Sequence, residues 1–196
     1  MRGYKYGNKR QPPLIEPADQ QRHLLSFYNL AEAQVLAATR ERDIPLKKVR
    51  RAVEYLRTEL HDDRPLLTHV FHRYGRDLFV RHLATGRLRQ PLNVSRYGQY
   101  GIRQVLRRYL QRIERDPQGR PLIVFPLRPG QRDRRKRIAI NPLVSSGRPS
   151  LYGSGIMAEV IWHRKKSGEK VAELARDYRL KRSDIKAAIR YFEPAA

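Results

Sequence analysis

Apolar residues recur at helical spacing through the last third of the chain. Val171, Leu174, Ala175 and Tyr178 stand at i, i+3, i+4 and i+7, and Ile185, Ala188, Ile189 and Phe192 repeat that spacing. Each stretch predicts a helix with one apolar face inward and its basic residues outside. The connection across residues 178–182 is short enough for a helix-turn-helix. Ahead of it an apolar run, Ile138-Ala139-Ile140, is closed by Asn141-Pro142. A turn-rich bend follows, with Gly147-Arg148-Pro149 and Gly153-Ser154-Gly155-Ile156, and three consecutive helix-period patterns come after it.

Upstream the same reading gives a longer series of elements. Gly7-Asn8 within residues 4–15 supplies the positive-φ positions of a tight hairpin, so that stretch is either a basic two-stranded wing or a disordered basic N-terminus. Asn29 followed by Glu32 is a capping pair for a helix carrying Leu30, Ala33, Leu36 and Ala37. A second helix is expected from 46 to 60, with Leu46, Val49, Val53, Leu56 and Leu60 on one stripe. Its outer face of Lys47, Lys48, Arg50, Arg51 and Arg57 is a solvated surface or a phosphate track. Alternation over 68–82 predicts a hairpin, and 83–100 a loop. A further helix carries Ile102, Val105, Leu106, Tyr109, Leu110 and Ile113, with Arg103, Arg107, Arg108 and Arg112 opposite. Asp116-Pro117-Gln118-Gly119 reads as a turn and Leu122-Ile123-Val124-Phe125 as a strand. Residues 128–137 hold six positive residues and one negative around Pro129-Gly130, and read as a basic linker between domains.

Charge changes the picture more than composition does. The 196 residues carry 42 Lys+Arg against 19 Asp+Glu, a formal charge of +23. A surface this basic attracts polyanions, nucleic acid first among them. A hydrophobic share of 40% supports a packed core. The chain has no cysteine, which excludes disulfides, thiolate metal sites and a cysteine nucleophile. With no membrane-length apolar run and no signal-peptide pattern, a cytoplasmic protein is expected.

No catalytic set emerges. Ser145-Ser146 lacks GxSxG or P-loop context, and Asp62 and Asp63 are adjacent in sequence. His69, His72 and His82, near His61-Asp62-Asp63, lack the spacing of a zinc site. The chain is therefore expected not to be an enzyme and to use no metal or cofactor. Binding residues are better motivated. Lys181, Arg182 and Ser183 stand at the start of the final helix, followed by Lys186 and Arg190 one turn apart. Cations there oppose the helix macrodipole, a placement that a neighbouring phosphate converts into attraction. Ser183 would cap the helix or donate to phosphate. Lys5, Lys9 and Arg10 of the wing would lie along a phosphate backbone.

Two resemblances sharpen this reading. Asn141-Pro142, Gly147-Arg148-Pro149, Gly153-Ser154-Gly155-Ile156, Gly168-Glu169, Val171-Ala172-Glu173, Tyr178 and Asp184-Ile185-Lys186-Ala187-Ala188 resemble domain-of-unknown-function family 433, a small helix-turn-helix domain often found in antitoxins. Further upstream, Gly3-Tyr4-Lys5-Tyr6, Pro13-Leu14-Ile15, Leu25-Ser26-Phe27, Asn29-Leu30-Ala31-Glu32 and Ile44-Pro45-Leu46 leading to Val49-Arg50 resemble the MerR-like winged helix-turn-helix of VapB-type antitoxins. In that family a helix-turn-helix precedes the wing, whereas here the chain begins inside it. Either the start is placed too late or the recognition helix is absent.

Together these give a mainly α chain with small β-hairpins: a winged-helix-like unit lacking its first helices over 1–127, the linker 128–137 and a three-helix helix-turn-helix domain over 138–196. The resemblance implies a DNA-binding antitoxin of a type II toxin–antitoxin pair, acting on double-stranded DNA as a homodimer and autoregulating its operon. It would neutralise a VapC-type PIN-domain ribonuclease, with Arg134, Arg135, Arg137 and Arg148 as the arginines that block an acidic active site. The alternatives are a protein-interaction module without DNA binding and a basic RNA-associated protein.

Overall fold

The computed structural model describes residues 5–6, 9–10, 13–41, 43–67, 104–127 and 135–193. Expectations for Gly7-Asn8, for the hairpin with His69, His72 and His82, for the 83–100 loop, for Ile102 and Arg103, and for 128–134 lie outside these residues. The chain is mainly helical with small two-stranded sheets. It divides into two compact units, Met1–Pro121 with Leu127–Gly130, and Leu122–Pro126 with Gln131–Ala196.

In the first unit β1 (Lys5–Tyr6) and β2 (Lys9–Arg10) pair antiparallel, Lys5 opposite Arg10 and Tyr6 opposite Lys9. Helix α1 runs Phe27–Arg40, and its cap is not the one the sequence suggests. Ser26 is the N-cap: its Oγ accepts from the Asn29 amide at 3.2 Å, and Asn29 Oδ1 accepts from the Ser26 amide at 3.0 Å. The helix therefore starts a turn earlier than expected. Its inward face is Ala31, Val35 and Ala38, while Leu30, Ala33, Leu36 and Ala37 are half-buried. The shift has a physical cause, because Asn29, Glu32, Gln34 and Thr39 are buried as well and a polar network shares the inner face. Within it, Asn29 Nδ2 donates to the Glu16 carbonyl at 2.7 Å and to Glu32 Oε2 at 3.1 Å.

Helix α2 spans Leu46–Leu60, the bounds its periodicity predicts, and buries Val49, Ala52, Val53 and Leu56. Leu46, expected on that stripe, stays 43% exposed, and Arg50, expected outside, is buried. Pro65–Leu67 form a buried 3-10 turn packed on both α1 and α2. Residues 104–110 form α3, which buries Val105, Leu106, Tyr109 and Leu110. The helix stops short of the expected Ile113, which opens β3 (Ile113–Arg115). The break carries Arg112 out of the exposed row and into the interior. Tyr109 donates its hydroxyl proton to Glu41 Oε1 at 2.6 Å, and Arg108 pairs with the same carboxylate. A turn at Asp116–Arg120, with Gly119 at φ 83°, leads to β4 (Pro121–Val124).

In the second unit Val124 and Ile140 exchange both backbone hydrogen bonds at 3.0 and 2.8 Å. Strand β5 (Ile138–Ala139) pairs antiparallel with β6 (Ser150–Leu151), Ile138 opposite Leu151. Between them Asn141 Oδ1 accepts from the Leu143 amide, and Ser145 Oγ donates to the Gly155 carbonyl at 2.8 Å. Three helices follow, α4 (Ala158–Lys166), α5 (Val171–Asp177) and α6 (Arg182–Phe192). Helix α6 packs on both α4 and α5. The core is Ile138, Leu151, Ala158, Ile161, Leu174, Ala175, Ile185, Ala188 and Ile189. Ile161, Leu174 and Ile185 are fully buried, each contributing about 1.5–3 kcal/mol of transfer free energy. Trp162, Val171, Tyr178, Leu180 and Phe192 close around them.

Candidate nucleic-acid interface

The connection from α5 to α6 sets how α6 is presented. Leu180 donates its amide to the Ala175 carbonyl at 2.9 Å, and Arg179 takes a left-handed φ of 54°, an uncommon conformation for a residue with a Cβ. Arg164 ties this bend down from α4. Its guanidinium meets both Glu169 oxygens and Asp177 Oδ2 and lies over the Tyr178 ring at 5.1 Å. Glu169, then Tyr178 and Asp177, push Arg164 up from its already high value, so it keeps its charge throughout.

Helix α6 turns Ile185, Ala188 and Ile189 inward, and leaves Arg182, Lys186 and Arg190 exposed. These three stand at i, i+4 and i+8, one stripe along the outer face. Lys181 precedes them and is also exposed. Among the described residues no ion pair involves Lys181, Arg182 or Lys186, whereas Arg137, Arg148, His163 and Arg164 each face a carboxylate. Arg190 Nε donates to the Lys186 carbonyl at 3.3 Å. Exposed Arg176 and Arg179 add cations on α5 and the connection, and the sequence reading passed over them. Their signal was position alone, on either side of Tyr178.

Ser183 does not cap the helix. The N-cap of α6 is Lys181, which makes no side-chain cap, and Ser183 Oγ instead accepts from Arg137 Nη1 at 2.8 Å. It sits inside the first turn, where its side chain cannot reach the capping position. For Lys5, Lys9 and Arg10 the structure gives the backbone pairing of the hairpin.

Of the four arginines expected to face a toxin, three lie among the described residues. Arg134 lies outside the described residues, and Arg135 is exposed. Arg148 is 64% exposed with Glu159 at 3.8 Å. Arg137 is withdrawn from that role, because its side chain is only 13% exposed and pairs with Asp184. Lys136 and Arg137, in the stretch read as linker, are half-buried in this unit, Lys136 Nζ lying 4.7 Å from the Phe125 ring centroid.

Asp62 and Ser145 have local structural partners. Asp62 Oδ1 accepts from the Arg64 amide at 2.6 Å, and Ser145 is held by Gly155. Among the described residues no group of three or more His, Asp or Glu side chains is arranged to hold a metal ion, and no helix is long and apolar enough to cross a membrane.

The uncharacterized protein Rv2308 of Mycobacterium tuberculosis is 28% identical over 204 residues, covering 97% of this chain and 80% of that protein. The X-ray crystal structure of Rv2018 from Mycobacterium tuberculosis superposes with a TM-score of 0.65 at 18% identity, covering 90% of this chain and 85% of that one. At that identity the likeness is one of fold. The model of the family described as Protein of unknown function (DUF433) matches residues 138–192, the stretch that contains β5, β6 and all three helices.

Proposed function

We propose that this protein binds double-stranded DNA, with α6 as the helix that meets the phosphate backbone. One observation carries the reading: every exposed position at i, i+4 and i+8 of α6 is a cation, Arg182, Lys186 and Arg190. Their charges oppose the helix dipole at its start and gain from an anion there. A helix-turn-helix that presents such a stripe suits the major groove, with phosphate contacts fixing its register.

The fuller reading is an antitoxin of a type II pair, a homodimer that occupies two half-sites about one helical turn, ~34–36 Å, apart and regulates its own operon. Its toxin-neutralising part rests on the family resemblance, with Arg134, Arg135 and Arg148 as the arginines to serve it, of which Arg135 and Arg148 are exposed among the described residues.

Duplex binding measured by fluorescence anisotropy across a salt series tests the DNA part. Log affinity is expected to fall linearly with log salt, by about 0.9 per phosphate contact, so that three contacts give a slope near −2.7. Lys186→Glu with Arg190→Glu should abolish binding while the circular dichroism spectrum stays helical. Salt-independent binding, or none, favours a protein-interaction module. Tighter binding to structured RNA than to duplex DNA favours an RNA-associated protein.

A further inference from the structure

Arg137 stands one residue before β5, yet its side chain belongs to α6. Nη1 donates to Ser183 Oγ at 2.8 Å and to Asp184 Oδ1. Its own carbonyl accepts from the Tyr152 amide at 2.8 Å, and Ile138, next in the chain, is in the core. Arg137 is thus anchored in the sheet by its backbone and in the first turn of α6 by its guanidinium. That turn has no side-chain cap of its own. Both bonds leave the one terminal nitrogen, whose two N–H groups are held in the plane of the guanidinium.

We infer that Arg137 is a positioning residue for DNA binding: by gripping Ser183 and Asp184 it holds α6 at the setting in which Arg182, Lys186 and Arg190 meet phosphates together. The inference rests on the reading of α6 given above. Asp184, two residues before Lys186, lies roughly 160° around the helix from it, whereas Ser183, three residues before, lies roughly 60° away. The clamp therefore borders the stripe at Ser183 and holds the helix from the far side through Asp184. It acts through Asp184, and a contact set on three side chains is sensitive to small displacements of their helix.

The decisive variant is Asp184→Ala in the full chain. It removes a negative charge, so simple electrostatics demands that DNA binding stay constant or tighten. It also removes the oxygen that accepts from Arg137, and a lost clamp demands the opposite sign. Asp184 is 27% exposed and alanine suits a helix, so the fold is expected to stand, with affinity referred to the folded fraction from a thermal melt. D184A should bind a DNA duplex about fivefold more weakly than wild type, within the range of couplings between residues in contact. R137Q should match it, and R137Q/D184A should be no weaker than R137Q, because both remove one clamp. D184A that binds as tightly as wild type, or tighter, overturns the assignment, and so does a double variant with the two losses added. A wild-type protein that ignores duplex DNA, or K186E/R190E that still binds it, sinks instead the reading of α6 itself.

Discussion

Glu32 is 7% exposed on the inner face of α1, where a carboxylate is costly. Burial pushes its carboxyl up from the ordinary range, against the lowering effects of the Asn29 hydrogen bond and the Arg64 and Arg57 charges, while Glu16 adds to the rise. A folded state that holds this proton more firmly than the unfolded chain is favoured at low pH. It loses that advantage as pH climbs through the raised value, because stability falls with pH wherever the native state binds more protons. Arg64 Nη1 stands 3.4 Å from Glu32 Oε2 and is 38% exposed, so the pair is too solvated to offset much of the burial. Glu32→Gln is accordingly expected to melt above wild type at pH 7, with the gap closing as pH falls toward about 4, near the ordinary carboxylate range. Thermal melts across that range check it, and a variant that melts below wild type at pH 7 would mean that the ion pairs outweigh burial. The sequence shows Glu32 only as a helix-capping residue. Its burial depends on the Asn29 network, which closes through Glu16, and no local spacing encodes that.

Elements were legible where one apolar stripe decides their placement. Helix α2 has the limits its period requires, and α5 and α6 bury Leu174, Ala175, Ile185, Ala188 and Ile189, with Val171, Tyr178 and Phe192 half-buried against them. Placement slipped where polar groups share the inner face, as in α1, or where a helix gives way to a strand without a proline or glycine, as at Gln111-Arg112 after α3. Arg137 was hidden for another reason: it lies in a run of like charges, and its partner Asp184 is 47 residues away. Turns between helices were clearer. Gly168, marked by the family pattern, has φ +100° between α4 and α5, and a Cβ added there meets nothing within 4 Å. Its requirement is conformational, not steric. Gly168→Ala should cost about 1–2 kcal/mol by denaturant unfolding, the penalty for placing an L side chain in left-handed backbone. A change within experimental error would show that the turn relaxes to another conformation at no cost.

A net charge of +23 draws any polyanion to any face of the molecule. Affinity for DNA alone therefore does not single out α6, and a fall in affinity on charge reversal is ambiguous until the same change in net charge is made elsewhere. Lys186→Glu with Arg190→Glu takes the formal charge from +23 to +19, two units for each reversal. Arg22→Glu with Arg107→Glu does the same from the first unit, where Arg22 is 80% exposed and Arg107 is also exposed. If the stripe is the contact, the first pair abolishes duplex binding while the second lowers it by less than about threefold, the modest effect of charges outside a contact at physiological screening. Anisotropy titrations of both variants at one salt concentration separate the cases. Equal losses in the two would make net charge itself the binding agent and leave Arg182, Lys186 and Arg190 an ordinary solvated face.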